Sequence, residues 1–67
     1  MAERIKIHIE HLPEGVYLAT SRDIPGLTVE GDTREEAERI AAEVALDLLE
    51  AERGKPVQPT TFRFIFD

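Results

Sequence analysis

Thr33-Arg34-Glu35-Glu36-Ala37 begins a stretch of helical periodicity that runs to Arg53 and stops at Gly54. Threonine followed three residues later by glutamate fits a capping box. The Thr33 hydroxyl accepts from the Glu36 amide, and the Glu36 carboxylate reaches back to the Thr33 amide. Acids at Glu35 and Glu36 also suit the positive end of a helix dipole. Ala37, Ile40, Ala41, Val44, Leu48 and Ala51 recur at three- and four-residue spacing and form one apolar stripe. The small residues early in that stripe let the helix sit close to a sheet. Leu46 lies off the stripe as a surface leucine, whereas Leu49 borders it and reads as a second contact surface. Gly54 is a left-handed stop with Pro56 beyond it, so the helix is predicted over 34–53.

Working outward from that helix, the flanking segments read as strands. In 4–12, Ile5, Ile7 and Ile9 alternate with Arg4, Lys6, His8 and Glu10, the period-two pattern of a strand wet on one side. Pro13-Glu14-Gly15 is a turn short enough for an antiparallel hairpin. Residues 16–21 follow as a second strand, apolar on both faces: Val16 and Leu18 on one, Tyr17 and Ala19 on the other. The pattern does not decide which face points inward. Arg22-Asp23-Ile24-Pro25-Gly26 breaks the chain, because proline fixes its own φ, extends Ile24 and precedes a glycine able to take positive φ. Leu27 to Glu30 alternates again as a third strand, ended by Gly31-Asp32. Beyond the helix, Lys55 to Thr60 is a linker turn. Thr61 to Asp67 is a fourth strand, with Phe62, Phe64 and Phe66 on one face and Arg63 and Ile65 on the other. The order is β-β-β-α-β, a two-layer α+β arrangement with one helix on one face of a four-stranded sheet. The first three strands form a meander, and a right-handed crossover sets the last beside and parallel to the first.

A chain of 67 residues accommodates one domain, here residues 1–67. At that size folding buries only roughly 60% of the extended chain's surface, so the core is marginal. The net charge is −6, which argues against direct nucleic-acid binding. There is no cysteine, hence no disulfide framework and no thiolate metal site. No apolar run approaches the roughly 20 residues of a membrane span, and the start, Met1-Ala2-Glu3-Arg4, is not that of a signal peptide. A cytoplasmic location is expected.

Chemistry is sparse. His8 and His11 are three apart, on opposite faces of a strand, and do not converge on one ion. Ser21 reads as a strand end rather than a nucleophile. Glu10, Glu14 and Asp23 lie near turns, but a catalytic carboxylate pair needs a pocket that lifts one pKa. Each of the four glycines stands alone at a turn or cap, so there is no phosphate loop. No catalysis, cofactor or metal is expected. The helix carries seven of the fourteen acids. These read as a solvated face with Glu35–Arg39 as an i,i+4 pair, or as a negative surface that steers a basic partner.

Residue chemistry alone names no function. The segment from Gly15 to Ala37, however, resembles the HicB-like antitoxin family, in which a tyrosine-bearing strand leads to an Asp-Leu-Pro-Gly turn, a short strand, then Gly-Asp-Thr and Glu-Glu-Ala opening a helix. Asp23-Ile24-Pro25-Gly26, Gly31-Asp32-Thr33 and Glu35-Glu36-Ala37 match that pattern in order and spacing. The similarity spans residues 4 to 53, and the closing strand in outline. It implies a fold like a truncated RNase H core, with sheet order 3-2-1-4. It does not imply nuclease activity, because Lys6, Ile7 and His8 occupy the centre of the first strand where that activity needs acids. It also implies a partner: a small basic HicA-type toxin that cleaves mRNA and whose active site the antitoxin blocks. The C-terminal DNA-binding domain of many members has no counterpart before Asp67.

The residues themselves favour a binding module. A marginal core, a doubly apolar second strand and an aromatic last strand point to a homodimer or higher homo-oligomer through sheet faces or edges. Val16, Leu18, Leu49 and Ile65 are the expected contact residues. Asp23, Pro25, Gly26, Gly31, Asp32, Thr33 and Glu36 form the turn and cap motif. The expected function is an antitoxin-like module that neutralises a mRNA-cleaving toxin by steric and electrostatic blocking. The alternatives are a stand-alone oligomeric scaffold or small-ligand-binding module without a toxin partner and, third, a metal- or carboxylate-dependent hydrolase.

Overall fold

The computed structural model describes residues 2–67. Strands β1 (Glu3–His11), β2 (Tyr17–Thr20) and β3 (Thr28–Gly31) precede helix α1 (Arg34–Arg53), and a 3-10 turn over Pro59–Thr61 leads into β4 (Phe62–Phe66). The four strands form one sheet in the order β3-β2-β1-β4. β1 and β2 pair antiparallel, as do β2 and β3, while β4 runs parallel to β1. This is the α+β architecture expected from the alternation of the strands and the single capped helix.

Side-chain alternation sorts each strand into two faces. Ile5, Ile7 and Ile9 of β1 are buried beneath the helix, and Ala19, at 0% exposure, settles the inner face of β2. Ile9, Ala19 and Val29 align across the sheet through its register. Alanine suits the middle of that row because the helix passes over β2 with small side chains of its own.

The buried line of the helix differs from the expected stripe. It consists of Ala37, Ala41, Ala45 and Leu49, while Ile40, Val44 and Leu48 are half-buried and Ala51 is exposed. The reason is geometric. A strict four-residue repeat traces a ridge inclined to the helix axis, and the helix touches the sheet along that ridge. Three alanines occupy the line of closest approach until Leu49 ends it, and Ile40, Val44 and Leu48 flank it. Leu49 is therefore a core residue, 4% exposed, and offers no surface to a partner. Leu46 is half-buried and packs against the same core.

The helix start is capped by Thr33, whose hydroxyl accepts from the Glu36 amide at 3.1 Å. The reciprocal bond shifts by one residue: the Glu36 carboxylate accepts from the Asp32 amide at 3.2 Å, not from Thr33. Gly54 ends the helix at φ 71°, its N–H donating to Glu50 C=O at 2.8 Å. The next turn is tied back by the Glu50 carboxylate, which accepts from the Val57 amide at 3.2 Å. Arg53 joins three elements. It pairs with Glu3 at 2.7 Å at the start of β1 and lies 5.1 Å over the Phe62 ring at the start of β4. On the outer side of the helix, Arg39 pairs forward with Glu43 at 3.5 Å rather than back with Glu35, and Arg34 takes Glu38 at 3.0 Å.

Candidate functional site: the open face of the sheet

The helix covers one side of the sheet, and the other side is assembled from the alternate residues of the same strands. Register fixes its layout. Glu10, Leu18 and Glu30 stand in one row across β1, β2 and β3. His8, Thr20 and Thr28 form the next row. Lys6 stands beside Ile65, and Arg4 beside Arg63. Neighbouring strands lie about 4.8 Å apart, so Leu18 is an apolar knob with a carboxylate on each side. The opposite corner is basic. Leu18 and Ile65 are half-buried, and Glu10, Glu30, Arg4 and Arg63 are exposed. Of the four expected contact residues, this face brings together Leu18 and Ile65. Val16 is half-buried at the hairpin, its C=O accepting from Leu12 N–H at 2.8 Å.

An open depression of about 620 Å³ lies where β2 leaves β1, lined by Lys6, His8, Thr20, Ser21, Arg22, Asp23 and Asp67. Two side chains replace the lost ladder there. Lys6 N–H donates to the Asp23 carboxylate at 2.8 Å, and the Ser21 hydroxyl donates to Lys6 C=O at 2.5 Å. Asp23 N–H in turn donates to the Ser21 oxygen at 3.1 Å. Across the depression the His8 ring meets the Asp67 carboxylate at 3.3 Å. His11 lies apart from His8. It stacks on Tyr17 with ring centroids 4.3 Å apart and planes 4° from parallel. Among the described residues no three His, Asp or Glu side chains gather as a metal site would require.

The turn and cap motif turns out to be architectural. Leu27 N–H donates to Ile24 C=O at 3.2 Å around Pro25 and Gly26, with Gly26 at φ 89°. Proline then glycine with positive φ is the signature of a type II turn. Its two ends, Ile24 and Leu27, are each 2% exposed and belong to the core. Gly31 serves close approach instead. A Cβ there would stand 2.6 Å from the Ala37 amide nitrogen, so only glycine lets β3 pass under the first helical turn. Asp23 holds β1, and Asp32, Thr33 and Glu36 hold the helix start.

Sequence reading did not find the pairing of Arg4 with Arg63, which lie far apart in the chain, nor the Ser21–Asp23–Lys6 network. Strand register supplies both, and the only local signal was the Ser-x-Asp spacing at the end of a strand.

A family model for a domain of unknown function, DUF1902, matches residues 4–67. No curated protein and no solved structure was found to match the chain. No described helix is long and apolar enough to cross a membrane.

Proposed function

Because the chain belongs to the DUF1902 family, whose description assigns no function, we propose from its own residues that it is an antitoxin-like protein-binding module of HicB type. In this reading it acts in the cytoplasm, without catalysis, by covering the active site of a small basic HicA-type mRNA-cleaving toxin. The observation that carries the proposal is the Glu10–Leu18–Glu30 row on the open sheet face. An apolar anchor between two exposed carboxylates suits a basic surface with an apolar pocket. The anchor supplies burial and the carboxylates supply orientation. Glu35, Glu43, Asp47 and Glu52, exposed on the helix, add a negative field that speeds encounter with a basic protein more than it strengthens the complex. Agreement of the strand order and the turn and cap motif with the HicB-like pattern supports the same reading.

The test is co-expression with the product of the neighbouring reading frame, which the proposal expects to be a small basic protein. The parent chain is expected to restore growth and to co-purify with that protein. Glu10→Lys combined with Glu30→Lys is expected to do neither while remaining folded. Failure of the parent chain to rescue growth would refute the proposal. A second reading, a stand-alone oligomeric scaffold or small-ligand-binding module, draws on the depression beside Lys6 and Arg22. It predicts a bound small molecule in protein purified from the native cell.

A further inference from the structure

β4 forms an outer edge of the sheet, hydrogen-bonded to β1 on one side. Its sequence, Phe62-Arg63-Phe64-Ile65-Phe66, contains no proline and no lysine, and its described residues are an unbroken strand. Such an edge is a template for another strand. Its chemistry says which one.

The backbone of a strand presents successive N–H and C=O pairs to alternate sides. Asp67 turns both groups toward β1, its N–H donating to Ile7 C=O at 3.1 Å and its C=O accepting from Ile9 N–H at 3.0 Å. Ile65 and Arg63 therefore also face β1, and Phe62, Phe64 and Phe66 direct their backbone groups outward. An antiparallel copy of β4 can pair only in registers that set these outward residues opposite one another. A two-fold axis then passes through Arg63, Phe64, Ile65 or Phe66.

Side chains choose among the four. Centring on Arg63 sets that guanidinium against its own copy, beside Arg4 of each chain, which is already its neighbour in register. Like charges directly opposed are unfavourable. Centring on Phe64 sets Arg63 opposite Ile65, and centring on Phe66 sets Ile65 opposite Asp67. Both mismatch charge with hydrocarbon. Centring on Ile65 matches every position. Ile65 meets its own copy, Phe64 meets Phe66 twice, and exposed Arg63 meets exposed Asp67 twice. The phenylalanines are the hydrogen-bonded pairs. The isoleucine and the Arg–Asp pairs occupy the non-hydrogen-bonded positions, where Cα atoms come to about 4.5 Å and side chains are closest.

We infer that the partner of this edge is a second copy of the chain, joined β4 to β4 antiparallel about Ile65 into a continuous eight-stranded sheet. The axis is perpendicular to the sheet, so both helices lie on one side and the two open faces merge on the other. Each Asp67 brings a carboxylate to an Arg4–Arg63 corner that its own chain leaves doubly positive. Phe64 and Phe66, half-buried in one chain, complete an aromatic cluster across the seam. The inference goes beyond the toxin-binding proposal and does not depend on it, since the Glu10–Leu18–Glu30 row lies on the other strands of each chain.

The chain has no cysteine, so Ile65→Cys introduces a single reporter thiol at the axis. Mild oxidation is expected to convert it to a disulfide-linked dimer of twice the 7.6 kDa chain mass. Light scattering on the parent protein should give the same mass. Arg63→Asp is expected to weaken the dimer on the order of tenfold, and Arg63→Asp with Asp67→Arg to restore it. Circular dichroism confirms that each variant is folded. A parent chain monomeric at high micromolar concentration would overturn the inference. So would a dimer indifferent to Arg63→Asp, or one that the double exchange does not rescue, or an Ile65→Cys chain that stays uncrosslinked.

Discussion

The two faces of this sheet are made by the same strands and obey opposite rules. On the helix side, Ile5, Ile7, Ile9 and Ala19 alternate into a dry interior closed by Ile24, Leu27, Leu49 and Phe62. On the open side, the residues between them form ordered rows: acidic around Leu18, neutral through Thr20, basic at Arg4 and Arg63. One face is held in place by packing, so a change there is felt in stability. The other is laid out by register, so under the proposed function a change there is felt in recognition. The comparison teaches that in so small a domain a second patterned face comes without extra chain, as the obligatory reverse of the core, and the proposed function places partner binding there.

The largest expected effect breaks the inner face. Ile7→Ala removes a side chain with 0% exposure and should cost about 3 kcal/mol in urea unfolding, as buried aliphatic truncations do. That is a large part of what a chain this small has. Gly31→Ala comes next. The added methyl meets the Ala37 amide nitrogen, which is backbone and cannot step aside, and about 2 kcal/mol of destabilisation is expected by the same measurement. Asp23→Ala sharpens the contrast at the boundary between the faces. It strips the carboxylate from Lys6 N–H and should cost about 1 kcal/mol, with faster amide exchange at Lys6. Thr33→Ala removes the helix cap at a similar cost of about 1 kcal/mol. Smallest of all, Glu30→Gln on the open face should leave the unfolding midpoint within about 0.5 kcal/mol of the parent.

Local chemistry made much of the architecture legible. The capping threonine, the αL glycine and the isoleucine alternation each act within a few residues, and the helix bounds and the order of elements follow from them. What escaped depends on contacts between elements. Both faces of β2 are apolar, and only the passage of the helix over Ala19 tells them apart. The helix stripe was read from mixed three- and four-residue spacing, whereas the helix meets the sheet along a strict four-residue ridge, so Ala45 and Leu49 join Ala37 and Ala41 in the buried line and Ala51 is left exposed. Ile24 sits in a turn, where no periodicity marks it as core, yet it belongs to the buried cluster. The open face was legible as single residues but not as rows. Glu10, Leu18 and Glu30 become neighbours only when two antiparallel registers are known together.

The most direct test places one charge at the centre of the open face. Leu18→Lys sets an ammonium between the Glu10 and Glu30 carboxylates, where opposite charges across strands attract. It should unfold within about 1 kcal/mol of the parent yet lose capture of the proposed basic partner and rescue of growth. Capture and rescue at the parent level, or an unfolding loss as large as that of Ile7→Ala, would contradict the division of labour between the two faces.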